Sequence, residues 1–75
     1  MKDKKILINT ANLVKDFVSN ATKVEDSVKL FSENGKEVNG KSIMGIFSLD
    51  LTKPLYVKTA GENVDFTNFL KKVEV

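Results

Sequence analysis

Histidine and cysteine are both absent from this chain of 75 residues. Without histidine there is no side chain whose ordinary pKa lies near neutrality, and so no imidazole general base. Without cysteine there is neither a disulfide scaffold nor a thiolate zinc site. Arginine is missing as well: every one of the twelve basic residues is a lysine. These lysines are scattered among ten acids, giving a net charge of +2. A dense basic stripe with arginine forks, the usual footprint of a nucleic-acid binder, is not there. Apolar runs are short, well below the roughly 20 residues a membrane helix needs. The charged start Met1-Lys2-Asp3-Lys4-Lys5 followed by Ile6-Leu7-Ile8 is not a leader pattern. The four glycines stand singly at 35, 40, 45 and 61, which excludes phosphate-loop and dinucleotide-binding glycine patterns. The expectation is a cytoplasmic protein with no cofactor, no metal, no nucleic acid and no membrane association.

What is present reads as one small domain, 1–75. Hydrophobic residues make up 41% and charged residues 29%, which is ordinary for a folded protein and argues against disorder. A domain of this length buries only about 60% of its unfolded surface, so its core is thin.

Hydrophobic spacing gives the order of elements. Lys4 to Asn9 reads as a short β-branched strand. Asn9 or Thr10 then caps a helix over Ala11 to Thr22, with Leu13, Val14, Phe17, Val18 and Ala21 on one face. Ser27 to Ser32 alternates, with Val28, Leu30 and Ser32 on one side and Lys29, Phe31 and Glu33 on the other. Asn34-Gly35 is a hairpin signal, because both residues tolerate positive φ. Lys36 to Asn39 is the return strand, with Val38 inward, and Asn39-Gly40 is a second turn. Ser42 caps a short helix over Ile43 to Asp50, weakened by Gly45. Pro54 stops helical structure and opens a strand over Leu55 to Ala60. Gly61-Glu62-Asn63 turns into a final helix, Val64 to about Val73, with Phe66, Phe69, Leu70 and Val73 at helical spacing. The order is β-α-β-β-α-β-α. An α+β open-faced sandwich satisfies it: a four-stranded, mostly antiparallel sheet with helices on one face and the other face wet.

Little points to catalysis. Glu33, Glu37, Asp50 and Glu62 fall at turns or strand ends, where solvated carboxylates are the rule. A domain this small leaves little room for a walled active site. The segment Gly40-Lys41-Ser42-Ile43-Met44-Gly45-Ile46-Phe47-Ser48-Leu49 is different. A helix this short cannot bury all its apolar residues. Lys41, Ile43, Met44 and Phe47 beside the Ser42 cap read either as a partner-docking patch or as a greasy helix packed on the sheet edge.

From Lys36 to Leu49 this region resembles the regulatory-serine region of the HPr family, the phosphocarriers of the bacterial sugar phosphotransferase system. The core Lys41-Ser42-Ile43-Met44-Gly45 carries the resemblance. It extends back through Phe17-Val18-Ser19-Asn20-Ala21-Thr22 and forward through Lys53 and Ala60-Gly61-Glu62. It implies the HPr open-faced sandwich. It also implies where the chain departs from the family. HPr proteins carry a histidine at the start of the first helix, followed by alanine, arginine and proline. Counting back from Phe17 puts that histidine near Thr10, the arginine at Asn12 and the proline at Leu13. The loop before the helix is shortened, and the last strand and final helix are short. The histidine accepts phosphate from Enzyme I and passes it to sugar transporters, and this chain lacks it.

Ser42 is retained. In Gram-positive relatives this serine is phosphorylated by an HPr kinase/phosphorylase, and the product binds a catabolite-control transcription factor. The resemblance therefore implies a regulatory or binding module of the phosphotransferase system, not an enzyme, with Ser42 as a site of serine phosphorylation linked to catabolite repression. Histidine-lacking catabolite-repression HPr-like proteins are similar in that trait. Three alternatives stand beside it. Ser42 is only an N-cap; the domain has an assembly role, as a fragment or partner unit of a larger phosphotransferase protein, with phosphotransferase-system enzymes as partners; or the chain is a divergent enzyme or carrier with a non-histidine phosphoacceptor, Thr10, Ser42 or a lysine.

Overall fold

The structure is a computed structural model that describes residues 4–75. Met1, Lys2 and Asp3 of the charged start lie outside the described residues. Seven elements follow in chain order: β1 (Lys4–Ile6), α1 (Ala11–Ala21), β2 (Val28–Phe31), β3 (Glu37–Asn39), α2 (Ile43–Phe47), β4 (Leu55–Thr59) and α3 (Val64–Val73).

The four strands form one sheet in the order β1-β4-β2-β3. Every neighbouring pair is antiparallel, so the expected mostly antiparallel sheet is antiparallel throughout. The period of two decides which face is dry. Ile6, Val28, Leu30, Leu55, Val57 and Thr59 are buried, while Lys5, Lys29 and Lys58 point to solvent. The helices cover the dry side. Phe17 of α1 meets Phe66 and Phe69 of α3 edge-on, with centroids 5.5 and 6.2 Å apart, a geometry that suits the ring quadrupoles. Ile46 of α2 and Val24 of the α1–β2 loop complete the core.

Two boundaries differ from the periodicity by three residues, one turn differs in its conformation, and the ends of α1, β2, β3 and β4 each fall within one residue of expectation. β1 ends at Ile6, not Asn9, because its partner strand starts at Leu55 (Ile6 pairs with Leu55) and Pro54 before it has no N–H to offer. Beyond that point the chain pairs with its own C-terminal segment: Leu7 N–H donates to Val73 O at 2.9 Å, and Val75 N–H to Lys5 O at 3.0 Å. α2 ends at Phe47, not Asp50. The Ser48 hydroxyl takes the Gly45 carbonyl at 2.6 Å, and Leu49 N–H bonds Ile46 O at 3.0 Å, closing the helix with tighter three-residue bonds. In the β2–β3 turn only Gly35 has positive φ, at 90°, and no non-glycine residue does. Asn34 instead acts through its side chain, accepting from the Ser32 hydroxyl and from Lys36 N–H. A three-residue loop with glycine in the left-handed position is the result.

Candidate functional site

The first-helix cap forms where the sequence puts it, and Thr10 provides it. Thr10 is extended (φ −129°, ψ 154°), and its Oγ1 accepts from Leu13 N–H at 3.2 Å. Asn9 plays no part in that bond. Thr10, Ala11 and Asn12 are exposed, while Leu13 packs partly against the core. A proline at 13 has no N–H, so it could not donate to a threonine cap at 10. Leu13 supplies both the missing donor and apolar cover.

Around Ser42 the backbone turns off β3. Asn39 Oδ1 accepts from Lys41 N–H at 2.9 Å, and Asn39 O from Ser42 N–H at 3.1 Å. Ser42 is extended (φ −110°, ψ 111°), and its Oγ accepts from Gly45 N–H at 3.1 Å. Ser42 is half-buried. Gly45 lies close beneath it: a Cβ there would sit 3.3 Å from Ser42 Oγ. Lys41 is also half-buried, and its ammonium donates to Val24 O at 2.6 Å. It ties the β3–α2 turn to the α1–β2 loop.

The apolar residues of α2 divide between inside and outside. Ile46 and Leu49 belong to the core, and Ile43 packs partly against it. Met44 and Phe47 remain exposed, at 80% and 44%. Of the group Lys41, Ile43, Met44 and Phe47, only these last two present substantial apolar surface.

Other polar groups are structural. Lys23 Nζ pairs with Asp65 Oδ2 at 3.0 Å, and Asn63 caps α3 by accepting from Phe66 N–H at 3.2 Å. The Asp50 carboxylate accepts from both the hydroxyl and the N–H of Thr52, at 2.6 and 3.1 Å, which holds its pKa below the ordinary aspartate value. Among the described residues there is no cluster of three or more potential metal-ligating side chains. No helix among them is long and apolar enough to cross a membrane.

The periodicity does not single out the uncovered face of the sheet. Its outward residues come from separate segments, and only strand pairing brings Phe31, Tyr56, Lys29 and Lys58 side by side. The sequence signal was the outward half of each alternation, visible in Lys29-Leu30-Phe31 and Tyr56-Val57-Lys58 but without register.

No family model matches the chain, and no curated protein matches it. Among solved structures it is similar to the crystal structure of HPr-C-His from Thermoanaerobacter tengcongensis. Identity is 34%, the TM-score is 0.64, and the match covers 95% of this chain and 84% of that chain. With the β-α-β-β-α-β-α order, the antiparallel sheet β1-β4-β2-β3 and this likeness over nearly its whole length, the chain belongs to the HPr family.

Proposed function

We propose that this protein is an HPr-family regulatory binding module without a phosphoacceptor histidine, and that Ser42 is its site of phosphorylation. The observation that carries the reading is the Ser42 cap, set in Lys41-Ser42-Ile43-Met44-Gly45 on an HPr fold with exposed Met44 and Phe47 beside it. It acts in the cytoplasm through protein partners of the phosphotransferase system rather than as an enzyme. By resemblance these are an HPr kinase/phosphorylase and a catabolite-control transcription factor.

The chemistry follows from the local geometry. A kinase transfers the γ-phosphoryl group of ATP to Ser42 Oγ, and the hydroxyl proton leaves. Phosphorylation adds about −1.5 to −2 charge and three acceptor oxygens. They arrive next to the amides of the first turn of α2 that have no partner within the helix, among them the Gly45 N–H that Oγ already engages. Lys41 is held by Val24 O, so in this arrangement the new charge faces outward beside Met44 and Phe47. A partner then meets an anion flanked by apolar side chains in place of a neutral cap.

A threonine at 10 does not replace a histidine relay. A threonine phosphate ester transfers far less readily than a phosphoramidate, and Thr10 Oγ1 is engaged as a cap. The test is incubation with an HPr kinase and ATP, read by intact mass and fragment mapping. One phosphate on Ser42, absent in Ser42→Ala, is expected. No phosphate, or phosphate that persists in Ser42→Ala, contradicts the proposal. Label acquired from Enzyme I and phosphoenolpyruvate and passed on to a sugar transporter contradicts the loss of the carrier role.

A further inference from the structure

The uncovered face of the sheet gathers charge and aromatic rings that are dispersed in the sequence. β2 and β4 are the central strands, and their outward side chains align with those of the edge strands. One row runs Lys5, Tyr56, Phe31, Glu37; the next runs Lys58, Lys29, Asn39. Lys5, Lys29 and Lys58 are exposed, and Phe31 and Tyr56 are half-buried. Lys29, Phe31, Glu37 and Lys58 line a shallow hollow of about 440 Å³. Among the described residues, three lysines thus stand on this face against one glutamate.

Two features indicate what covers it. Lys29 and Lys58 lie directly opposite one another, and like charges in that position destabilise a bare sheet. Glu37 reaches Lys29 at 3.4 Å, and an anion bridging the two ammonium groups relieves their repulsion. Phe31 and Tyr56 are also direct cross-strand neighbours, so two aromatic side chains lie in the middle of the cationic surface. The ligand chemistry that matches both is a flexible polyanion with planar groups along it. Base stacking on aromatic side chains in a positively charged groove is how single strands are held without sequence readout. Glu37 at the β3 side favours RNA. A carboxylate there repels phosphate but accepts from a sugar hydroxyl, and the 2′-hydroxyl is the donor that DNA lacks.

We infer that the open face of the sheet, centred on Phe31 and Tyr56 and flanked by Lys5, Lys29 and Lys58, binds single-stranded RNA. The surface is separate from Ser42, so its test and that of the proposed function are independent.

The experiment is fluorescence anisotropy of a labelled oligouridine with the whole chain, together with amide chemical-shift mapping by NMR. Binding is expected at low salt, with log K falling against log salt at a slope of about −2 for three phosphate contacts. Shifts are expected along β2 and β4 and not along α2. Tyr56→Thr, which retains a strand-forming residue, weakens binding by about 5- to 150-fold, the range for one lost base stack. Lys58→Gln, at an exposed position that leaves folding intact, flattens the salt slope by about 0.7. Oligothymidine binds more weakly than oligouridine. The proposal is overturned by no binding at low salt, by shifts confined to α2, by polyglutamate binding as tightly as RNA, or by equal affinity for oligothymidine.

Discussion

Gly40 offers the sharpest test of the packing that holds the Ser42 segment in place. It is buried at the end of β3, two residues before Ser42, and its N–H donates to Val28 O at 2.7 Å. A Cβ added there would lie 2.7 Å from Val28 Cγ1, 3.0 Å from Val28 O and 3.2 Å from the Val28 carbonyl carbon. Val28 cannot yield easily. It is 1% exposed, its side chain is β-branched, and its backbone is fixed in the sheet opposite Thr59. Overpacking of this kind costs about 1–3 kcal/mol. Gly40 does not have the positive φ that alanine avoids; only Gly35 does. Alanine therefore regains about 0.4–1 kcal/mol by restricting the unfolded chain. The net expectation for Gly40→Ala is a loss of about 1–2 kcal/mol, out of a total near 4–11 kcal/mol for a domain of this size. That lowers Tm by about 5–15 °C. Urea unfolding followed by circular dichroism measures it, with an unchanged m-value. In a Val28→Ala background the cost of Gly40→Ala shrinks, because the Cγ1 contact is gone and only the carbonyl contact remains. A Gly40→Ala protein as stable as the parent, or more stable, would refute the reasoning.

Other expectations follow from single contacts. Ser42→Ala removes the acceptor for Gly45 N–H and costs about 1 kcal/mol, whereas Ser42→Asp, an equally good cap, is near neutral; thermal melts of the pair check this. Thr10→Ala costs about 1 kcal/mol through the lost bond to Leu13 N–H, and Thr10→Asp restores it, again read by melts. Phe17→Ala, which opens the core where α1 meets α3, costs about 3–5 kcal/mol and leaves the chain largely unfolded at moderate urea. The Asp50 carboxylate has a folded pKa below its unfolded value. Its contribution is present above the unfolded pKa and is lost as pH falls through the folded one; an NMR titration gives a low midpoint, and Thr52→Val raises it.

The order of the elements was legible because each has its own local signal. Thr10, Ser42 and Asn63 all cap the helices they precede. The inward residues of β2 and β4, Val28, Leu30, Leu55 and Val57, are buried as their alternation requires. What was not legible depends on neighbours distant in sequence. β1 stops at Ile6 because β4 begins after Pro54, a fact about another segment. Ile43 looked as exposed as Met44 in the sequence, yet the core takes it up in part. Lys41 read as a surface charge, but Val24 O, from a loop seventeen residues earlier in the chain, holds its ammonium. The scatter of lysines argued against a basic surface, and strand pairing then set Lys29 beside Lys58. Register is the missing information in each case, since a slip of one residue would invert every face.

The regulatory reading is tested most directly by titrating a catabolite-control transcription factor with this chain in two forms, unmodified and phosphorylated on Ser42. The phosphorylated form should bind at least about tenfold more tightly, the effect of one charge-assisted hydrogen bond. Met44→Ser should weaken that binding with little change in Tm, since Met44 is 80% exposed, whereas Phe47→Ser, at a position 44% exposed, weakens binding and also lowers Tm through lost packing. Equal affinity of the two forms would contradict a switch at Ser42 and leave the serine as a helix cap.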